Sequence, residues 1–457
     1  MLPSVRDLRQ EFKPMLRLAI PVVVAELGWM TMGMVDTLMV GPIGPEAIGA
    51  VGLGTSLFMG ITIFALGLLL GLDTLVSQAF GGGRIEECHR WLVHGTVLAL
   101  GLSVPVFLAL MWVSEALPSW GLTPEVAVLA KPYLRALAWG TVPLLLYGSF
   151  RRYLQGMGVV RPVVIALVSA NIVNAVANWI LIYGRLGFPA LGVTGSAWAT
   201  VFARAAMALC LLATILYRER HAPVSVFSNL RVELAWFRRL VGLGAPAATQ
   251  VALEIGVFAT ATALAGRLPA VALAAHQIAL NYAALTFMVP LGISSAAAVR
   301  VVHAVGRNDP TAASRAGWTA LLLGVMFMSA AALVFLLVPR LLLEAFTSDP
   351  GVLGVGVTLL FVAAVFQLFD GVQAVATGAL RGLGDTRTAV LWNLLGHWGV
   401  GLPFGFWLCF SAGYGVVGLW WGLSLGLIIC GAILLAVWAR RVRHLPLHPR
   451  RSSVLSP

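Results

Sequence analysis

Charge is scarce in this 457-residue chain: Asp, Glu, Lys and Arg together make up 11%, against about 25% in a soluble domain. Mean hydropathy is correspondingly high, at +0.92, and a soluble globular protein is excluded. Cysteine is also sparse. Cys88, Cys210, Cys409 and Cys430 show no CxxC spacing, so neither a disulfide framework nor a thiolate metal site is expected. Only Lys13 and Lys131 are lysines among 30 basic residues. No GxxxxGK[ST] segment occurs, since Gly81-Gly82-Gly83-Arg84 is a loop without the lysine, which argues against nucleotide hydrolysis as an energy source. His444 and His448 are four apart, but Pro446 between them denies them a metal-binding helix. No cofactor is expected.

Long apolar runs are abundant. They cover residues 15–39, 48–79, 92–114, 133–153, 162–183, 192–217, 237–265, 271–303, 316–338, 353–379, 388–411 and 414–439. Each is long enough for about 20 residues of membrane-crossing helix, so the reading is an all-α polytopic membrane protein of twelve transmembrane helices. The first run is too long for a signal peptide and contains acidic residues; it reads as a retained span. The net charge of +12 would suggest nucleic acid in a soluble protein, but its distribution says otherwise. Alternate connections hold 24 basic residues, including Arg84, Arg151, Arg152, Arg161, Arg238, Arg239 and Arg381, whereas the intervening ones hold only Lys131, Arg135, Arg185, Arg267 and Arg340. Cytoplasmic loops collect Lys and Arg. Both termini are therefore expected in the cytoplasm of a multi-pass protein of the cell inner (plasma) membrane, with lipid and not nucleic acid as its surroundings.

The chain also repeats itself. LQGMGVVRP from Leu154 matches LRGLGDTRT from Leu380 at four positions, and Gly192-Val193, Gly195 and Trp198 recur as Gly415-Val416, Gly418 and Trp421, at offsets of 226 and 223. Two six-helix repeats follow, an N-lobe of residues 1–225 and a C-lobe of residues 226–457, in the same membrane orientation with a cavity expected between them.

A charge at the bilayer centre costs about 2.5–3.5 kcal/mol on insertion scales, so the acids within the runs, Glu26, Asp36, Asp73, Glu254 and Asp370, need a reason. At ~1.5 Å per residue from the flanking arginines, Asp370 is ~16 Å deep and Glu254 ~22 Å, with Asp36, counted from Lys13, farther still. Asn174 and Asn178 share a helix face, and Thr200 falls at a similar depth. One carboxylate, two amides and a hydroxyl form an all-oxygen set suited to Na⁺, and the carboxylate alone suits H⁺. Interhelical hydrogen bonding is the plainer alternative.

These residues resemble those of the multidrug and toxic compound extrusion (MATE) transporters, particularly the NorM-like branch. The resemblance is carried by Met34-Val35-Asp36-Thr37, the Leu154 segment, Asn174 and Asn178, Ala274-Ala275-His276-Gln277 through Asn281, and Asp370-Gly371. It implies a V-shaped, monomeric antiporter, not an enzyme, that admits Na⁺ or H⁺ and expels amphipathic, often cationic, organic compounds. It further implies an N-lobe cation site at Asp36, Asn174, Asn178 and Thr200, and a C-lobe cation or substrate site at Glu254, Asp370 and Asn281. Pro21 matches the first-span proline linked to bending and release. Glu26 stands where an uncharged residue is usual, and Phe366 where a tyrosine is. Asp73 reads either as a cavity acid or as the partner of a cytoplasmic-side group, and His276 beside Gln277 either as a proton relay or as a packing histidine; His397 favours packing. A flippase for a lipid-linked precursor is the alternative function, although such proteins tend to line their cavity with arginines, and here the buried charge is acidic with Arg204 alone opposing it.

Overall fold

The computed structural model describes residues 5–117, 124–220 and 232–444. Arg231, His448, Arg450 and Arg451, which entered the charge pattern and the histidine argument, lie outside the described residues. Within them the backbone is helical almost throughout and no strand occurs. That follows from the composition: without water to bond to, an apolar backbone satisfies its N–H and C=O groups within its own helix.

The helices in order are α1 (Val5–Val40), α2 (Pro45–Leu68), α3 (Gly71–Gly81), α4 (Ile85–Ala116), α5 (Pro124–Ala138), α6 (Thr141–Gly156), α7 (Arg161–Tyr183) and α8 (Val193–Glu219). They continue as α9 (Leu234–Ala265), α10 (Ala270–Gly306), α11 (Pro310–Leu337), α12 (Pro339–Glu344), α13 (Pro350–Gly382), α14 (Arg387–Asn393), α15 (Leu402–Phe406) and α16 (Gly415–Arg443). Local chemistry sets several ends. Asp309 caps α11 by accepting from the Ala312 amide at 2.9 Å, and Asp349 caps α13 by accepting from Val352 at 2.9 Å, each followed by a proline at the first helical position. Gly184, with φ +67°, ends α7 in the left-handed conformation that glycine alone adopts freely.

Among the described residues ten helical stretches are long and apolar enough to cross a membrane, α2 and α3 counting as one. The runs expected at 133–153 and 388–411 are helical too but broken. The first is split by a turn at Trp139-Gly140 between α5 and α6. The second alternates α14 and α15 with π-helical turns at Leu394–Gly401 and Trp407–Ser411. Pro403 removes a backbone donor there, and the glycines let the backbone press against α16, where a Cβ on Gly422 would lie 2.3 Å from the Gly405 Cα. The outward apolar faces, with Leu38 72% and Trp112 71% exposed, suit lipid contact, as a soluble monomer exposes no such band.

The chain forms two compact units, Val24–Ala248 and a second made of Met1–Val23 with Thr249–Pro457. The divisions fall inside α1 and α9, two residues after Pro21 and Pro246 respectively. In the first unit the start of α9 is clamped by close backbone approach: a Cβ on Gly244 would lie 2.0 Å from the Leu68 carbonyl oxygen. Small residues serve membrane helices in this way because lipid supplies no hydrophobic drive between them. In the second unit Glu11 of α1 accepts from Arg300 of α10, Nε lying at 2.7 Å.

Candidate functional site

In the first unit α1, α7 and α8 bring Asp36, Asn174, Asn178 and Thr200 together. The Asp36 carboxylate accepts from Asn174 Nδ2 at 2.9 Å and Asn178 Nδ2 at 2.7 Å on one oxygen, and from the Thr200 hydroxyl at 2.6 Å on the other. Asn178 also donates to Asn174 Oδ1 at 3.1 Å. All four side chains are buried. Regular geometry explains the convergence, since Asn174 and Asn178 are one turn apart on α7 and present both amides to α1. Asn171, two turns before Asn178 on α7, instead donates to the Gly28 and Leu167 carbonyls at 3.1 and 3.0 Å. Three donors satisfy the two carboxylate oxygens; rotating the amides turns their oxygens inward and makes the cage a set of cation ligands. Asn178 Oδ1 is buried with no hydrogen-bond partner and is the oxygen most ready for such a role.

In the second unit Glu254 of α9 accepts from Gln250 Nε2 at 3.2 Å and from Gln373 Nε2 of α13 at 3.4 Å. Asp370 is buried one turn before Gln373 and interacts electrostatically with Glu254. Neither glutamine was singled out by sequence. Gln250 was legible as the residue four before Glu254; Gln373 required the packing of α9 on α13. Asn281 and Gln277 share an exposed face of α10, and neither hydrogen-bonds to this pair. Phe366 is buried with its ring centroid 5.7 Å from that of Trp420.

The remaining candidates are placed as follows. Glu26 of α1 pairs with Arg151, and Asp73 of α3 with Arg152 at 3.0 Å, both arginines lying on α6. Pro21 lies inside α1, which stays helical through it. His276 has both ring nitrogens engaged: Trp420 Nε1 donates to Nδ1 at 3.0 Å, and Nε2 lies 2.9 Å from the Thr262 hydroxyl. Indole N–H only donates, so Nδ1 carries no proton, Nε2–H donates to Thr262, and Thr262 passes its own hydrogen to the Phe258 carbonyl at 3.0 Å. A neutral imidazole satisfies this chain completely. His276→Ala is accordingly expected to lower stability by about 1–3 kcal/mol through the orphaned Trp420 donor without altering the pH profile of activity. A displaced profile in thermally competent protein would show a relay instead.

Acids fixed inside helical spans by amides and hydroxyls define a polytopic membrane protein with polar sites at depth. Comparison with known proteins narrows this. The family model MatE matches residues 21–180 and 246–407, and the chain belongs to the MatE family. It is 38% identical over 447 residues to the "Probable multidrug resistance protein NorM" of Mesorhizobium japonicum, covering 96% of each chain. It is 39% identical over 417 residues to the "Multidrug resistance protein NorM" of Burkholderia vietnamiensis, covering 90% of each. Among solved structures, a MATE in the bent conformation aligns with a TM-score of 0.87 at 22% identity over 96% of this chain and 98% of that one. The eukaryotic MATE transporter AtDTX14 aligns with a TM-score of 0.84 at 21% identity, over 96% and 99%.

Proposed function

We propose that the protein is a multidrug efflux transporter of the plasma membrane, a monomeric antiporter that exchanges Na⁺ or H⁺ for amphipathic, often cationic, organic compounds. The observation that carries the reading is the Asp36 cage, a carboxylate buried among rotatable amides within a chain whose relatives are named multidrug resistance proteins. A single charge crossing 100 mV yields ~2.3 kcal/mol, enough to concentrate a neutral solute more than tenfold per ion.

In this reading the chain makes twelve crossings, counting α5–α6 and the α14–α15 stretch, with both termini cytoplasmic, in two repeats of residues 1–225 and 226–457. The helix ends support the duplication. Gly81 and Gly306, Gly156 and Gly382, and Arg161 and Arg387 bound corresponding helices at offsets of 225 or 226, and the family model matches twice, beginning at residues 21 and 246. Pro21 and Pro246 begin the two matches and serve as the bending points of α1 and α9. The working cycle is alternating access: a cation at Asp36 or at the Glu254–Asp370 pair neutralises carboxylate charge that would otherwise hold a cationic drug, and so favours its release. No observation favours the flippase alternative.

Ethidium efflux from everted vesicles, with Na⁺ and pH gradients imposed separately, tests this. Efflux driven by one of the two gradients is expected. Dye movement that follows neither would reject ion-coupled export.

A further inference from the structure

Arg204 is an arginine in the interior of a span for which the exchange cycle has no use. It stands eleven residues into α8, ~16 Å from the helix start, and is 3% exposed. Its Nε and Nη1 are buried without a hydrogen-bond partner. An unpaired guanidinium at that depth is costly, so its surroundings must compensate the charge by other means.

Three features do so. The guanidinium carbon lies 4.2 Å from the centroid of the Phe58 ring of α2, a cation–π geometry. A Cβ on Gly140 would lie 2.9 Å from Arg204 Nη1 and 3.0 Å from the Leu137 carbonyl oxygen, so the missing side chain leaves room for the guanidinium at the C-terminal end of α5, where the helix dipole favours a cation. The third is Asp36. Arg204 lies one turn beyond Thr200 on the same face of α8, Thr200 bonds the carboxylate directly, and Asp36 is the carboxylate that acts electrostatically on Arg204. Tyr133 of α5 is the other titratable group facing both, with its hydroxyl 3.0 Å from that of Thr55. The pocket is built for a fixed cation beside the cage.

We propose that Arg204 is a tethered counter-cation of Asp36, which stands in for part of the charge that a mobile ion would supply and thereby sets how tightly the cage binds its coupling cation. The inference rests on the cage being the ion site proposed above, and goes beyond it by assigning the residue that governs its affinity. With Arg204 present, the cage and its neighbour are close to neutral together and an added cation meets a like charge. With it removed, the carboxylate is uncompensated and an added cation is bound more tightly. The tethered charge keeps binding weak enough for the ion to leave.

The test is cation binding to purified full-length protein in nanodiscs, with ²²Na⁺ equilibrium binding and proton uptake measured separately on wild type, Arg204→Gln, Arg204→Met, Arg204→Lys, and Arg204→Gln combined with Asp36→Asn. Arg204→Gln and Arg204→Met are expected to raise the affinity for one of the two ions at least tenfold. The added Asp36→Asn should abolish that gain, and Arg204→Lys, which keeps the charge but loses the planar fork, should retain wild-type affinity. If Arg204→Gln does not fold, Arg204→Met against Arg204→Lys decides the matter. No gain in either neutral variant, or a gain that survives Asp36→Asn, overturns the proposal. Failure of ion-driven dye efflux in vesicles would reject the coupling reading alone, because the affinity comparison still measures whether Arg204 acts on the cage.

Discussion

Glu254→Gln combined with Asp370→Asn is expected to reduce gradient-driven dye efflux to the level of vesicles lacking the protein, while the purified variant stays monodisperse. The structure separates the two consequences. Glu254 accepts from the amides of Gln250 and Gln373 and feels the charge of Arg381, and a glutamine at 254 keeps an oxygen to accept one of the amides, so little packing is lost. What disappears is charge. Two interacting carboxylates, Asp370 buried and Glu254 half-buried, favour a cation beside them or a proton on one of them, and that dependence is what links the site to an ion gradient. Each single variant leaves one carboxylate and should retain part of the efflux. Full efflux by the double variant under both Na⁺ and pH gradients would show that this pair does not take part in coupling.

Much of the Asp36 cage was legible because helices in a membrane make depth nearly linear in residue number. Counting from Lys13, from the turn near Gly184 and from the start of the sixth run put Asp36, Asn174, Asn178 and Thr200 within reach of one another, and the structure joins all four by hydrogen bonds of 3.4 Å or less. The same count fails wherever a residue's partner is chosen by rotation about the helix axis and by packing. Asn281 and Asp370 both lie well inside apolar runs, yet Asn281 is exposed on α10 while Asp370 is buried. Arg151 and Arg152 were read as markers of a cytoplasmic loop. They belong instead to the last turns of α6, where they face Glu26 and Asp73 across α1 and α3. Loop charge statistics register which side such residues are on, not that a helix carries them inward. The interruption of the 388–411 stretch was also illegible. It depends on glycines of one helix meeting glycines of α16, a tertiary fact without a hydrophobic period.

Arg151→Met is expected to be among the most destabilising single substitutions in the first unit, costing about 3–5 kcal/mol, because it leaves Glu26 charged and buried without its partner. The side chains of Glu26 and Arg151 are 12% and 8% exposed, so water cannot take over. Arg152 offers incomplete relief, as it already pairs with Asp73 at 3.0 Å. Glu26→Leu alone should also destabilise, now by stranding Arg151, but less, since Asp73 acts electrostatically on Arg151 as well. Replacing both residues removes two desolvated charges together, and a buried pair exchanged for apolar groups of similar volume is often neutral or stabilising. The double variant should therefore recover most of the stability, a coupling that a double-mutant cycle of thermal or denaturant unfolding measures directly. Near-additive losses would show that the two charges do not compensate each other. Efflux by the same double variant then decides what Glu26 is for. Recovery of stability with recovery of efflux makes the pair a brace between α1 and α6, and recovery of stability without efflux places Glu26 in the transport cycle itself.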